Sequence, residues 1–240
     1  MVASRSLPVR ACRPTGVNER SRTASWTGTG LRRAATEPRA LHLVLSSDPA
    51  GVEPERAGIK AFYFQDPDGH PLEVLQFPPG KGDSKWLQSN GRLFLGIDHT
   101  AIAVSNTDAS LAFYSTLLGI RVAGESDNYG FEQELLNNVF GTHLRITALR
   151  SPSGIGVEFL EYITPHDGRP ASAAASPIDI DHHETVIVVD DLAGLNAQLH
   201  AQNFSGVSVK QIADSGLLLN ASQAELVRDP DGHFLLLLQR

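Results

Sequence analysis

The sequence predicts an α+β protein built from repeated βαβββ units, preceded by an incomplete unit and a disordered basic leader. Three observations predict it. The pentapeptide Asp66-Pro67-Asp68-Gly69-His70 recurs 163 residues later as Asp229-Pro230-Asp231-Gly232-His233, each copy flanked by apolar strand-like runs. Residues 97–104 (IDHTAIAV) align with residues 182–189 (HHETVIVV) at an offset of 85, with Thr100/Thr185, Ile102/Ile187 and Val104/Val189 identical. Each of these β-branched runs is followed by a helix signature.

Within residues 97–164, the strand at 97–104 leads to Asn106-Thr107-Asp108, which supply capping side chains. Leu111, Tyr114 and Leu118 then form a stripe and Gly119 ends the helix. A short strand at 121–123 follows, then a polar connection at 129–140 and strands at 142–149 and 155–162. Within 182–240, Asp190-Asp191 open a helix striped by Leu192, Leu195 and Leu199, and strands are expected at 208–212, 225–228 and 234–239. Residues 58–78 read as the last two strands of an earlier unit, with no convincing first strand or helix before them. In each pentapeptide Pro presets φ and Gly permits the left-handed step of a tight turn. The expected organisation is a leader at 1–40, an incomplete module at 41–85, a linker at 86–96 and a two-module domain at 97–240.

Charge separates the leader from the rest. Of 20 Lys and Arg and 27 Asp and Glu, residues 1–40 hold eight arginines against Glu19 and Glu37, giving +6 there and −13 beyond. Without an apolar period the leader cannot offset its ordering entropy. An Arg- and Ser-rich, acid-poor leader permits an organellar transit peptide, but a cytoplasmic location is the expectation. The net charge of −7 argues against nucleic acid as a partner, the absence of a long apolar run against a membrane, and a lone Cys12 against a disulfide framework or a cysteine zinc cluster.

Strand alternation nominates the chemistry. In 97–104, His99, Ala101 and Ala103 share a small-residued face. In 155–162, Glu158 sits in an apolar strand, where a carboxylate needs a partner, a proton or a metal. Aligning the fourth strands sets Glu158 against Glu73 and Leu236, and Glu161 against Gln76 and Gln239. His143, Arg145 and Thr147 share one side of 142–149, which reads either as a cavity wall for an anion or as a solvated outer face. Glu73 belongs to the incomplete unit and reads as structural, and His70 and His233 as solvated hairpin tips.

The ordered set Asp98-His99-Thr100-Ala101-Ile102-Ala103-Val104, Ala112-Phe113-Tyr114-Ser115-Thr116-Leu117-Leu118-Gly119, Val157-Glu158-Phe159-Leu160 and the two pentapeptide hairpins resembles the vicinal oxygen chelate superfamily, which contains glyoxalases, extradiol dioxygenases and bleomycin-resistance proteins. The resemblance implies paired βαβββ modules around a cleft, with a divalent metal (Fe, Mn, Ni or Zn) held by first- and fourth-strand residues. Carried over, it makes His99, Glu158 and Glu184 metal ligands and Glu158 or Glu184 the proton carrier, while on the strand pattern His143 and Arg145 would bind an anionic group of the substrate. The implied activity is that of a metal-dependent glyoxalase-like lyase or isomerase acting on a small molecule with vicinal oxygens. The alternative is a metal-free binder of the bleomycin-resistance type. Leu236, where a fourth ligand is expected, weighs against a dioxygenase. Unpaired strands at 58–78 predict a homodimer.

Overall fold

The computed structural model describes residues 58–170, 172, 174–176, 178–180, 182–204, 206 and 221–240, and the backbone of three strands nearer the start. Those early strands are β1 (Val2–Arg5), β2 (Arg22–Thr27) and β3 (His42–Val44). They are followed by β4 (Lys60–Gln65), β5 (Pro71–Gln76) and a short 3-10 turn at Ser84–Leu87. Next come β6 (Gly96–Val104), α1 (Thr107–Leu111), β7 (Arg121–Tyr129), α2 (Phe131–Asn137), β8 (His143–Arg150) and β9 (Gly156–Thr164). The last elements are β10 (Glu184–Val189), α3 (Leu192–Ala201), β11 (Gln223–Arg228) and β12 (Phe234–Gln239).

The strands form two sheets. One runs β3-β4-β5-β2-β6-β9-β8-β7 and the other β1-β10-β12-β11. In both, a unit's first strand lies parallel to its fourth, β6 beside β9 and β10 beside β12, as the repeat requires. Helix α2 follows β7 at one edge of the eight-stranded sheet yet packs against β3 and β4 at the other, so that sheet curls until its ends meet.

The front unit is more complete than its sequence suggested. β2 runs parallel to β5 and antiparallel to β6, standing where a first strand belongs, and β3 pairs with β4. Two stretches of the leader, read as disordered, are thus strands. The exposed edges of β5, β6 and β10 offer ladder partners that a periodicity argument confined to the leader ignores. The pairing also removes the reason for expecting a homodimer, because β4 and β5 find their partners within the chain. The strand expected at 208–212 lies outside the described residues.

Helix α1 is capped as expected, Asn106 Oδ1 accepting from the Ala109 N–H at 2.9 Å, but it widens into a π-helical turn at Ala112–Leu117. The extra residue in that turn brings Phe113 and Tyr114 together onto the core, while Leu111 and Leu118 from the expected stripe stay half-buried. Gly119, at φ +69°, ends it. In α3 the expected stripe holds, with Leu192, Leu195 and Leu199 all buried. The expected short strand and polar connection are instead a nine-residue strand, β7, bulged at Val122/Gly124, and the helix α2.

One main core joins the two later units. Ile102, Phe113, Tyr114, Val157 and Phe159 from one meet Ile187, Leu192, Leu195, Leu199, Val227, Leu235 and Leu237 from the other. Each fully buried side chain of this size contributes roughly 1.5–3 kcal/mol. The second pentapeptide hairpin pins the contact. Asp229 accepts from the Tyr114 hydroxyl at 3.0 Å, and Asp231 from the Ser105 N–H at 3.0 Å and the Ser110 hydroxyl at 3.3 Å. Glu161 and Gln239, equivalent positions of two fourth strands, both accept from the first N–H of their own unit's helix, at Thr107 and Leu192. Among the described residues no helix is long and apolar enough to cross a membrane.

Candidate functional site

The centre of the eight-stranded sheet brings together His99, Glu158 and Glu73. On β6, Thr100, Ile102 and Val104 face the core, so alternation turns His99 and Ala101 to the opposite side. In the β6–β9 register His99 stands opposite Gly156, and Ala101 opposite Glu158. Across β2, the register partner of Ser25 is Glu73 on β5. His99 Nε2 lies 3.6 Å from Glu158 Oε1 and 4.0 Å from Glu73 Oε2, with all three side chains almost wholly buried. Two modules thus supply the site, one through His99 and Glu158, the other through Glu73.

The other ring nitrogen of His99 is held. Nδ1 donates to Asp98 Oδ2 at 2.9 Å, and the same oxygen accepts from Arg150 Nη2 at 2.7 Å. Asp98 Oδ1 accepts from the Trp86 indole N–H at 2.7 Å. Burial by itself would raise the Asp98 carboxyl, but the hydrogen bond and charge of His99, the charge of Arg150 and the Trp86 hydrogen bond outweigh it and hold the group at about 2. Burial likewise disfavours a charged His99, yet the Glu158 charge, the Asp98 hydrogen bond and charge, and the Glu73 charge together raise its pKa.

Glu184 does not join this group. The repeat register holds, since Glu184 and Leu236 occupy in β10 and β12 the positions of His99 and Glu158 in β6 and β9. The two units, however, pack core to core through Ile102 and Ile187, and alternation turns His99 and Glu184 away from that shared layer on opposite sides. Glu184 instead lies 3.6 Å from His182. Glu73, read from the sequence as structural, stands where Glu184 was expected. Within its sheet the 97–164 module is laddered to the front unit through β2 and β6, while the 182–240 module packs against it through the shared core.

His143 and Arg145 lie on the wrong face to contact a ligand beside His99. The β8–β9 register sets Ala148 against Glu158 and Ile146 against Leu160, so Leu144, Ile146 and Ala148 share Glu158's side and Arg145 the other. Arg145 bonds Asp108 at 3.1 Å and Glu125 at 3.2 Å, and His143 bonds Asp127 at 2.5 Å. Neither of the two readings left open for this strand describes the whole face: His143 and Arg145 are half-buried and ion-paired, while Thr147 is fully buried. Helix packing is the reason, because Thr147 follows Phe159 onto the helix side.

The hairpin histidines are engaged rather than solvated. In each pentapeptide the leading Asp accepts from two N–H groups of its own turn through one oxygen and from the histidine Nδ1 through the other. His233 is buried. His70 also donates from Nε2 to the Ile180 carbonyl at 2.8 Å, tying the front hairpin to the segment before β10.

Asp98, Arg150, Trp86 and Gly156 carried no signal of function in the sequence beyond the Asp-His dipeptide, because three of them come from a linker and from strand ends. Among the described residues no three His, Cys, Asp or Glu side chains already stand at ion-binding distances. Two atoms holding one ion at ~2.1 Å lie roughly 3.0–3.4 Å apart, so the 3.6 Å separation must close by roughly 0.2–0.6 Å and the 4.0 Å separation by roughly 0.6–1.0 Å. The donor set itself, one imidazole oriented through Nδ1 and two carboxylates, fits a divalent metal.

Comparison with known proteins agrees with this architecture. The profile of the Glyoxalase/Bleomycin resistance protein/Dioxygenase superfamily matches residues 96–237. Among solved structures, a glyoxalase family protein from Bacillus cereus is 18% identical, with TM-score 0.52, over 60% of this chain and 93% of that one. A V278E glyoxalase I mutant from Zea mays is 13% identical, with TM-score 0.54, over 91% of this chain and 66% of that one. At such identities these two likenesses speak for the fold alone. No curated protein matches the chain. With the profile spanning more than half of the residues and the βαβββ register recovered in the sheets, the chain belongs to the Glyoxalase/Bleomycin resistance protein/Dioxygenase superfamily.

Proposed function

We propose that the protein is a divalent-metal-dependent lyase or isomerase acting on a small molecule with neighbouring oxygens. One observation carries the reading: an imidazole and two carboxylates from two modules meet, buried, on one face of a curled sheet. His99, Glu158 and Glu73 would hold the metal, which when bound supplies Lewis-acid polarisation of substrate oxygens. Glu158 is the proton carrier. Its carboxylate takes a proton from the hydroxyl-bearing carbon beside a substrate carbonyl and returns it to the carbonyl carbon, while the hydroxyl proton passes to the former carbonyl oxygen, so the carbonyl moves by one carbon without net oxidation. Leu144, Ile146 and Leu160 exclude water around it and seat the apolar part of the substrate.

The test is metal binding followed by turnover of 2-oxoaldehyde adducts. Stoichiometric uptake of Zn, Ni, Mn or Fe, lost at least tenfold in Glu73→Gln and Glu158→Gln but unchanged within twofold in Glu184→Gln, supports the reading. Equal loss in Glu184→Gln, or no uptake, overturns it. The aliphatic lining also favours a second reading, a metal-free sequestering protein. Under it, binding of apolar small molecules persists in His99→Ala and Glu158→Gln.

A further inference from the structure

A salt-bridged clamp stands behind His99. Asp98 receives three groups from three parts of the chain: the His99 ring beside it, the Trp86 indole from the turn before β6, and the Arg150 guanidinium from the end of β8, which passes over Gly156 at the start of β9. Gly156 is the register partner of His99. A Cβ built there would overlap the Arg150 guanidinium at Nη1 and Cζ, so only glycine lets that group take this path over β9 to Asp98. Asp98 is 7% exposed, and its two oxygens accept three hydrogen bonds. An aspartate so held cannot follow the histidine ring; the ring must follow it.

We infer that Arg150, Trp86 and Gly156 are positioning residues that act through Asp98 to fix the His99 ring with Nδ1 donating and Nε2 turned to Glu158 and Glu73. All three act on the Nδ1 side of the ring, away from the Nε2 atom that faces Glu158 and Glu73. Their effect is the orientation of one donor atom, the carboxylate-to-imidazole support that typically changes metal affinity 10–100-fold when removed. The inference deepens the metal reading above and rests on it for affinity alone, since ring orientation has its own signature in the metal-free chain.

The experiment uses the full chain labelled with 15N-histidine. In metal-free protein the His99 Nδ1 proton, assigned by its loss in His99→Gln, is expected to be a slowly exchanging ring signal. In Arg150→Met and in Gly156→Ala it should exchange at least about tenfold faster, and Zn affinity should fall about 10–100-fold. Combining the two should be no worse than either alone, because both remove the same guanidinium from Asp98. Arg150→Lys, which keeps a charge, should recover part of the protection. Should Gly156→Ala fail to fold, Trp86→Phe, which keeps the ring and removes the N–H, replaces it with the same expected direction. Unchanged exchange and unchanged Zn affinity in folded Arg150→Met overturn the inference, as does a fully additive double variant. Faster exchange in a chain that never binds Zn upholds the positioning role and defeats the metal reading instead.

Discussion

Replacing Tyr114 by Phe tests the core-to-core packing that separates His99 from Glu184. The substitution keeps the ring, 1% exposed and packed edge-on to Phe113 and Phe159, and removes only the hydroxyl. That hydroxyl donates to Asp229 Oδ2 at 3.0 Å, a buried bond to a carboxylate joining the 97–164 and 182–240 units. Hydrogen bonds to charged groups contribute about 1.5–3 kcal/mol. Asp229 keeps three other donors, the N–H groups of Asp231 and His233 and the His233 ring, so it is not orphaned. The expected loss is therefore near the lower end, about 1.5 kcal/mol or roughly tenfold in the unfolding equilibrium. Urea denaturation followed by tryptophan fluorescence and far-UV circular dichroism measures it, with the half-exposed Tyr129→Phe as control. A double-mutant cycle with Asp229→Asn should show coupling above about 0.5 kcal/mol. A Tyr114→Phe loss no larger than that of Tyr129→Phe, with no coupling to Asp229, would mean the two units do not dock through this face.

Two pH effects follow from named groups. His70 gives Nδ1–H to Asp66 and Nε2–H to the Ile180 carbonyl, both acceptors, so the ring is doubly protonated. Burial opposes that charge, but the Asp66 and Ile180 hydrogen bonds with the Asp66 and Asp68 charges raise its pKa above 6.5. A raised histidine pKa stabilises below 6.5 and loses that contribution as pH climbs through the folded value. Amide exchange at residues 178–180, corrected for intrinsic rate, should therefore lose protection as pH climbs beyond 6.5 in the native chain and show no such step in His70→Gln. For Asp98 the sign is opposite. Lowering from 3.8 to about 2 contributes stability on the order of 2 kcal/mol, present above pH 4 and lost as pH falls toward 2. Denaturation of native and Asp98→Asn protein at pH 6 and pH 2.5 should show the gap between them shrinking in acid; a pH-independent gap refutes the assignment.

Much of the candidate site was legible residue by residue. His99 and Glu158 stood out because a small-residued strand face and an acid in an apolar strand are local patterns, and both survive in the register of β6 and β9. The π-helical turn at Ala112–Leu117 was not legible, since its extra residue is set by packing Phe113 and Tyr114 side by side. Nor was the side of β8 that carries Arg145, because His, Arg and Thr suit a wet outer face as well as a cleft. The Trp86–Asp98–Arg150 clamp spans 64 residues of sequence without a shared motif, so only spatial proximity reveals it.

By itself the sequence determined the βαβββ repeat, the faces of its first and fourth strands, and the equivalence of His99 with Glu184 and of Glu158 with Leu236. These depend on interactions within one unit, where period-2 alternation and turn chemistry leave a single solution. Tertiary structure alone decided which units share a cleft. Every first strand offers an edge whose backbone groups accept any antiparallel partner equally well, so the ladder carries no preference among units. The choice falls to side-chain packing summed over whole faces: Tyr114, Phe159 and the α3 leucines join two units back to back, and Glu73 is left to face His99.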